Sequence, residues 1–274
     1  MAIDSSLFVA DIPAGTYAVG DTVELSIAAG PANVRSGRGA ALLKRLTSGI
    51  IGSASGSVSY WKVSVKNSDW IDPMASLTAQ LRSATALDER SGAVQRGNDC
   101  PLTPNSSWTV TAECMVAGTT TVANTIFALI DIDYPSVSAI TNPDTLPGIP
   151  TSIEYTPGSA ITVHALGAGV GAPFDTFNVD IFKAGYEYAI QKMELVSSSF
   201  LAGFVALSNA AGMGGLQRII PATGLLEGIK NMIEYATKLQ KGPMDIRFLM
   251  FANSGTASTE TPTIVMDYVK RRVA

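Results

Sequence analysis

The chain has 274 residues, of which 15% are charged, with a formal net charge of −4 and a positive mean hydropathy. A soluble domain usually carries about a quarter charged residues, so this much apolar and small-polar sequence predicts surface covered by partners, and the acidic balance argues against a general nucleic-acid binder. Two cysteines exclude a disulfide framework, the start Met1-Ala2-Ile3-Asp4 predicts no secretory signal, and the best apolar window, Phe200 to Leu207, falls far short of the roughly 20 residues of a membrane-spanning helix.

From the N-terminus, Val23, Leu25 and Ile27 alternate with polar neighbours, and Trp61, Val63 and Val65 alternate with Lys62, Ser64 and Lys66. A period of two marks strands with one buried face. Between them, Arg35, Arg38, Lys44 and Arg45 form a loose basic group, read first as a solvated face. Asp72-Pro73 then has the form of an N-cap followed by proline at the first helical position, and Met74, Leu77 and Leu81 recur at helical spacing. Together they predict a helix over 72–82. Asp88, Glu89, Arg90, Arg96 and Asp99 lie in a polar stretch without hydrophobic period, a surface excursion, and Asn105-Ser106-Ser107 matches a glycosylation sequon whose default reading is chance.

Trp108, Val110, Ala112, Cys114 and Val116 alternate in a further strand, which makes Cys114 a structural thiol, with Cys100 in a loop before Pro101. The loop Ala117-Gly118-Thr119-Thr120-Thr121 leads to a closing strand with Ile130, Ile132 and Tyr134 in phase. In that strand Asp131 and Asp133 place two carboxylates on one face, a spacing that can share a divalent cation. The default for the pair is solvent or a salt bridge. Pro143, Pro147, Gly148 and Pro150 then fall within ten residues, a stiff connector. The division this predicts is a first β-sandwich over 1–140, a Pro-rich linker over 141–157, and a second β-sandwich over 158–274.

Strands follow at Ile161 to Leu166, Phe177 to Phe182 and Tyr188 to Val196, the last also compatible with helix by composition. His164, the single histidine, sits inside the first of these with no nucleophile motif around it, so a structural role is expected. Gly167-Ala168-Gly169-Val170-Gly171 invites a phosphate-loop reading. Ala172-Pro173-Phe174-Asp175 follows instead of a helix, however, so a flexible strand connection is preferred. Thr223 can cap a second amphipathic helix running through Leu226, Ile229, Ile233 and Leu239 to Gly242-Pro243. Ile246, Phe248, Met250 and Ala252 alternate next, and after a Ser/Thr loop Ile264, Met266 and Tyr268 close the chain with Lys270-Arg271-Arg272 behind them.

The order of helix, alternating strand, hydroxyl-rich loop and closing strand therefore occurs twice, ending Asp133-Tyr134 and Asp267-Tyr268 about half the chain apart. The fold class expected is mainly β, as two tandem jelly-roll-like sandwiches or barrels, each with a helix inserted before its last strands, and about six strands recognisable per half. In this layout the chain resembles the double jelly-roll major capsid proteins of tailless icosahedral viruses, particularly the bacteriophage versions. The resemblance covers the whole chain and rests on layout, because the family has no signature residues. It implies a homotrimer of pseudo-hexagonal outline within a lattice of other virion proteins, located in the virion around a membrane and genome. If the chain lines such a shell, Lys270, Arg271 and Arg272 are the segment to turn toward nucleic acid or membrane.

No enzyme and no cofactor are expected, since neither a zinc site nor a catalytic triad can be assembled from this inventory. The competing reading is a tandem β-sandwich binding module for carbohydrate or cell surfaces, as in a phage tail or fibre. It requires exposed aromatics; Trp61 and Trp108 share strand faces with aliphatic residues, which leaves Trp70 as the freest candidate. A β-sandwich hydrolase would need facing carboxylates that the sequence does not single out.

Overall fold

The computed structural model describes residues 2–37, 39–51, 60–69, 74–80, 92–121, 123–134, 149–156, 158–177, 182–196, 200–208, 217–223, 240–241, 245–252 and 256–272. Every regular element among them is a β-strand. In the first half these are β1 (Ala2–Ile12), β2 (Gly15–Tyr17), β3 (Thr22–Glu24), β4 (Ser26–Ala29), β5 (Ala41–Ile51), β6 (Tyr60–Asn67), β7 (Met74–Gln80), β8 (Gly92–Leu102), β9 (Trp108–Val116), β10 (Gly118–Thr120) and β11 (Asn124–Tyr134). They form one sheet in the order β4-β1-β11-β5-β8, a second in the order β3-β9-β6-β7, and a short ribbon of β10 with β2.

The alternation read from sequence is what joins these sheets. Phe8, Ala10 and Ile12 of β1 and Ile126, Ala128, Ile130 and Ile132 of β11 meet Trp61, Val63 and Val65 of β6 and Val110, Ala112 and Cys114 of β9 in one buried core. Successive side chains point to opposite faces, so each strand gives every second residue to this core. Trp61 is fully buried and Tyr17 packs edge-on to it, with ring centroids 5.2 Å apart.

The second half comprises β12 (Ile149–Tyr155), β13 (Ile161–His164), β14 (Asp175–Phe177), β15 (Tyr186–Val196), β16 (Phe200–Ser208), β17 (Gln217–Thr223), β18 (Gln240–Lys241), β19 (Asp245–Ala252), β20 (Ser258–Glu260) and β21 (Thr263–Arg272). Its sheets run β12-β21-β15-β18 and β17-β16-β19-β13-β20, with β14 paired to β19. Their core is built from Val163, Phe182, Val205, Ile246, Phe248, Met250, Ile264 and Met266, with Tyr188 and Tyr268 at one end.

Strand for strand, the second half repeats the first. β1-β11-β5-β8 corresponds to β12-β21-β15-β18, and β9-β6-β7 to β19-β16-β17. The small elements recur as well, since β2 with β10 is matched by β13 with β20, and β3 on β9 by β14 on β19. Two sheets that take alternate strands of a rolled-up chain form the jelly-roll pattern. Two differences remain among the described residues: β4 has no counterpart, and β13 also runs parallel to β19 over Val163↔Met250 and His164↔Phe251. The three- and four-residue strands are too short to show a period, which is why about six strands per half were expected.

The helix predicted over 72–82 is corrected: Met74–Gln80 is β7, an edge strand paired to β6. Leu77 stands opposite Val63 and Met74 opposite Val65, with the register shifting between those pairs. A bulge of this kind puts an extra residue between two positions that face the same neighbours. The three-residue spacing of Met74 and Leu77 therefore arises from a bulged strand as readily as from a helix. Of the second predicted helix, Thr223 ends β17 and Gln240–Lys241 forms β18, while 224–239 lie outside the described residues. Within the range expected as a linker, Ile149–Tyr155 is β12. It is the outermost strand of its sheet, where Pro150 removes no needed donor.

One close contact fixes the distance between β16 and β19. A Cβ on Gly203 would lie 2.1 Å from the Leu249 carbonyl oxygen and 2.9 Å from Met250 Sδ. Gly203→Ala should destabilise the protein by about 1–3 kcal/mol in urea unfolding. Gly15→Ala, with nothing within 4 Å of the new methyl, should stay within about 0.5 kcal/mol of the parent.

Candidate functional site

The feature with the greatest functional content is the junction between the two halves. β11 is buried along all eleven residues, which requires that its sheet be covered on both faces. One face looks into the first core. On the other, Leu7 and Val9 of β1, Phe127 and Leu129 of β11 and Ile51 of β5 join Phe204 and Ala206 of β16, Ile219 of β17, Leu249 and Phe251 of β19, and Leu166 and Ala172 of the β13–β14 connection. Phe127 and Phe204 meet edge to face, centroids 5.1 Å apart and planes at 72°. β16 and β19 are two-faced in the same way, since Val205, Phe248 and Met250 enter the second core. The four sheets thus stack as layers, with β3-β9-β6-β7 and β12-β21-β15-β18 outermost.

A polar key sits at one edge of this apolar face. Asp11 accepts hydrogen bonds from Thr125 Oγ1 and Gly169 N with one carboxylate oxygen and from Val170 N with the other, each at 2.7 Å. A Cβ at Gly169 would lie 2.5 Å from Thr125 Cγ2, so only glycine admits this approach. The glycine loop at 167–171, read as a strand connection, presents the backbone N–H groups of Gly169 and Val170 to an anion. The anion is the chain's own Asp11.

This contact also sets polarity. Asp11 and Thr125 lie at the end of the first half opposite Ala2 and Tyr134, which pair with each other, and the loop after β13 packs against that end. Ile149 and Lys270 are likewise cross-strand partners. Both halves therefore have their chain ends at one end of the stack and their β2–β3 and β13–β14 turns at the other.

Asp131 and Asp133 are both buried. Asp131 accepts from Ser5 Oγ at 2.7 Å and Arg45 Nε at 3.1 Å, and pairs with the same guanidinium through Nη2 at 3.1 Å. Asp4 is buried beside them and pairs with Arg35, whose backbone N–H donates to Tyr134 Oη at 3.0 Å. Two of the basic residues read as a solvated face are thus spent on internal carboxylates. Among the described residues no group of three or more His, Cys, Asp or Glu could hold a metal ion. His164 Nε2 lies 3.3 Å from the Pro173 carbonyl oxygen.

Lys270, Arg271 and Arg272 continue β21 rather than trailing from it. Lys270 stands opposite Ile149 and Tyr188, Arg271 opposite Glu187, and Arg272 opposite Tyr186. The adjoining phenols of Tyr188 and Tyr268 are pushed above their ordinary range by burial. The sequence reading missed the junction, although the unbroken run Ile126-Phe127-Ala128-Leu129-Ile130 carried the signal of a strand covered on both sides.

No family model matches the chain, and no curated protein matches it. Among solved structures it overlays loosely on a Parabacteroides distasonis protein described as secreted, with 9% identity, 98% of this chain and 89% of that chain covered, and a TM-score of 0.25. The cryo-EM structure of Broad Bean Stain Virus gives 8% identity, 99% and 91% coverage and a TM-score of 0.26. The Macrobrachium rosenbergii nodavirus structure gives 9%, 99% and 96%, with a TM-score of 0.18. Likeness at this level carries no argument about activity or partners.

If Phe127 and Phe204 hold the halves together, the two rings are energetically coupled. Each Phe→Ala change should cost about 3–5 kcal/mol. A double-mutant cycle in urea should return a coupling of about 0.5–1.5 kcal/mol.

Proposed function

We propose that this chain is a virion structural protein, a capsid subunit whose two jelly-roll-like sandwiches tile an icosahedral shell. The observation that supports it best is the junction itself: two sandwiches of the same strand order, side by side with common polarity, joined through an apolar face. In this reading the residues 1–140 and 158–274 act as two domains of one block, the double jelly roll, linked at the end that carries both termini. The contact is heterologous, since the outer face of a β4-β1-β11-β5-β8 sheet meets the outer face of a β17-β16-β19 sheet. Heterologous contacts propagate into rings when the rotation closes. Three such blocks around an axis present six similar sandwiches, a pseudo-hexagonal tile, and the partners are further copies and other virion proteins.

Two of the three tryptophans, Trp61 and Trp108, are buried in the first core. That removes them from any aromatic platform a carbohydrate-binding module would need. The low charge fraction suits a surface designed to be covered. Light scattering after size exclusion tests the reading. The protein should run as a trimer or larger, at three or more times the 28.6 kDa chain mass, at micromolar concentration. A stable monomer that binds glycans would contradict it.

A further inference from the structure

The sequence shows one basic run at its C-terminus, but the fold collects more cations there. Lys241 in β18 stands opposite Glu187, which stands opposite Arg271. Lys183 is exposed and its backbone N–H donates to Tyr188 Oη at 2.8 Å, and Tyr188 stands opposite Lys270. Positions 183, 241 and 270–272 are distant in sequence and meet at one end of one sheet. Among the described residues the acidic ones near that end are Glu187, within the same ladder, Asp267, three positions before Lys270 on β21, and Asp245, exposed at the start of β19, fewer than the five basic residues. A local excess of positive charge therefore stands on a chain of net charge −4. At the matching end of the first half, Arg35 and Arg45 are paired with Asp4 and Asp131.

We propose that this end of the second sandwich is a binding surface for the phosphate backbone of nucleic acid. Its basic residues occupy paired strand ends of one sheet, positions able to meet a line of phosphates without reading bases. The distribution of exposed apolar groups favours nucleic acid over a bilayer. Val19 (64% exposed), Met115 (41%), Val116 (46%) and Val170 (51%) belong to the opposite end of the stack, and Ile27 (41%) lies on the edge strand β4. Among the described residues the basic end has no large exposed hydrophobic side chain to enter lipid. The surface rests on the proposed shell role and assigns this end of the block to the shell interior.

The test is fluorescence anisotropy with a labelled DNA duplex over a salt series, using the full chain. Binding should weaken steeply with salt. The triple variant Lys270→Gln, Arg271→Gln, Arg272→Gln should bind at least tenfold more weakly, with a log–log salt slope shallower by about 2–3. The control Lys62→Gln, Lys66→Gln, which removes two cations from β6 of the first half, should bind as the parent does. If the triple variant fails to fold, Arg272→Gln alone, at an exposed position, should still reduce the slope by about 1. The proposal is overturned if the duplex shows no salt-dependent binding, if the Lys62 and Lys66 variant loses as much, or if the protein sediments with phosphatidylglycerol vesicles and ignores DNA. Light scattering of the parent protein separates the two readings: a parent trimer or larger that fails to bind DNA sinks this surface alone, whereas a parent monomer sinks the shell role.

Discussion

The apolar contact of Leu7, Val9, Phe127 and Leu129 with Phe204, Leu249 and Phe251 is the constraint on which the rest of the molecule depends. A β-sandwich needs only one buried face per sheet, and its outer faces are ordinarily polar. Here the two inner sheets of the stack are apolar on both sides, so neither half can stand in water with its surface satisfied. The hydrophobic term scales with area removed from water, and the joined face buries large side chains from six strands. The two sandwiches are in consequence one mechanical block rather than two beads on a string.

Packing of apolar faces does not by itself select an angle or a polarity, since such contacts are non-directional. Direction comes from the hydrogen bonds at the edge. Asp11 reaches Gly169 and Val170 across 158 and 159 positions of sequence, and the missing Cβ at Gly169 lets backbone and carboxylate meet. A half-buried carboxylate that loses such donors is left less well satisfied, which disfavours misaligned arrangements of the two halves. The Arg45–Asp131 and Arg35–Asp4 pairs do similar work at the other end, tying β5 and the turn after β4 to the central strands.

Much of the secondary structure was legible because alternation has a single physical cause. Trp61-Val63-Val65 and Trp108-Val110-Ala112-Cys114 each read as one-sided strands, and each lies in the first core. Tyr188 to Val196, read as a strand although its composition also allows a helix, lies in β15, held by its pairing to β21. Met74 and Leu77 misled because a bulge gave a strand the spacing of a helix. The junction was hidden for a different reason again. Nothing local to Leu129 or Leu249 names its partner, and the pairing of Asp11 with a distant glycine loop exists only once both sandwiches have formed. The carboxylates of Asp131 and Asp133 were recognisable as unusual, whereas the guanidinium that answers Asp131 comes from a strand 86 positions away.

A repeated sandwich joined through one apolar face is the arrangement on which the proposed shell role rests. Negative-stain electron microscopy of the purified protein tests this most directly. The account predicts closed shells or hexagonally tiled sheets whose repeating unit has a pseudo-hexagonal outline. Fields of isolated, dispersed single-chain particles at every concentration and salt condition would contradict it.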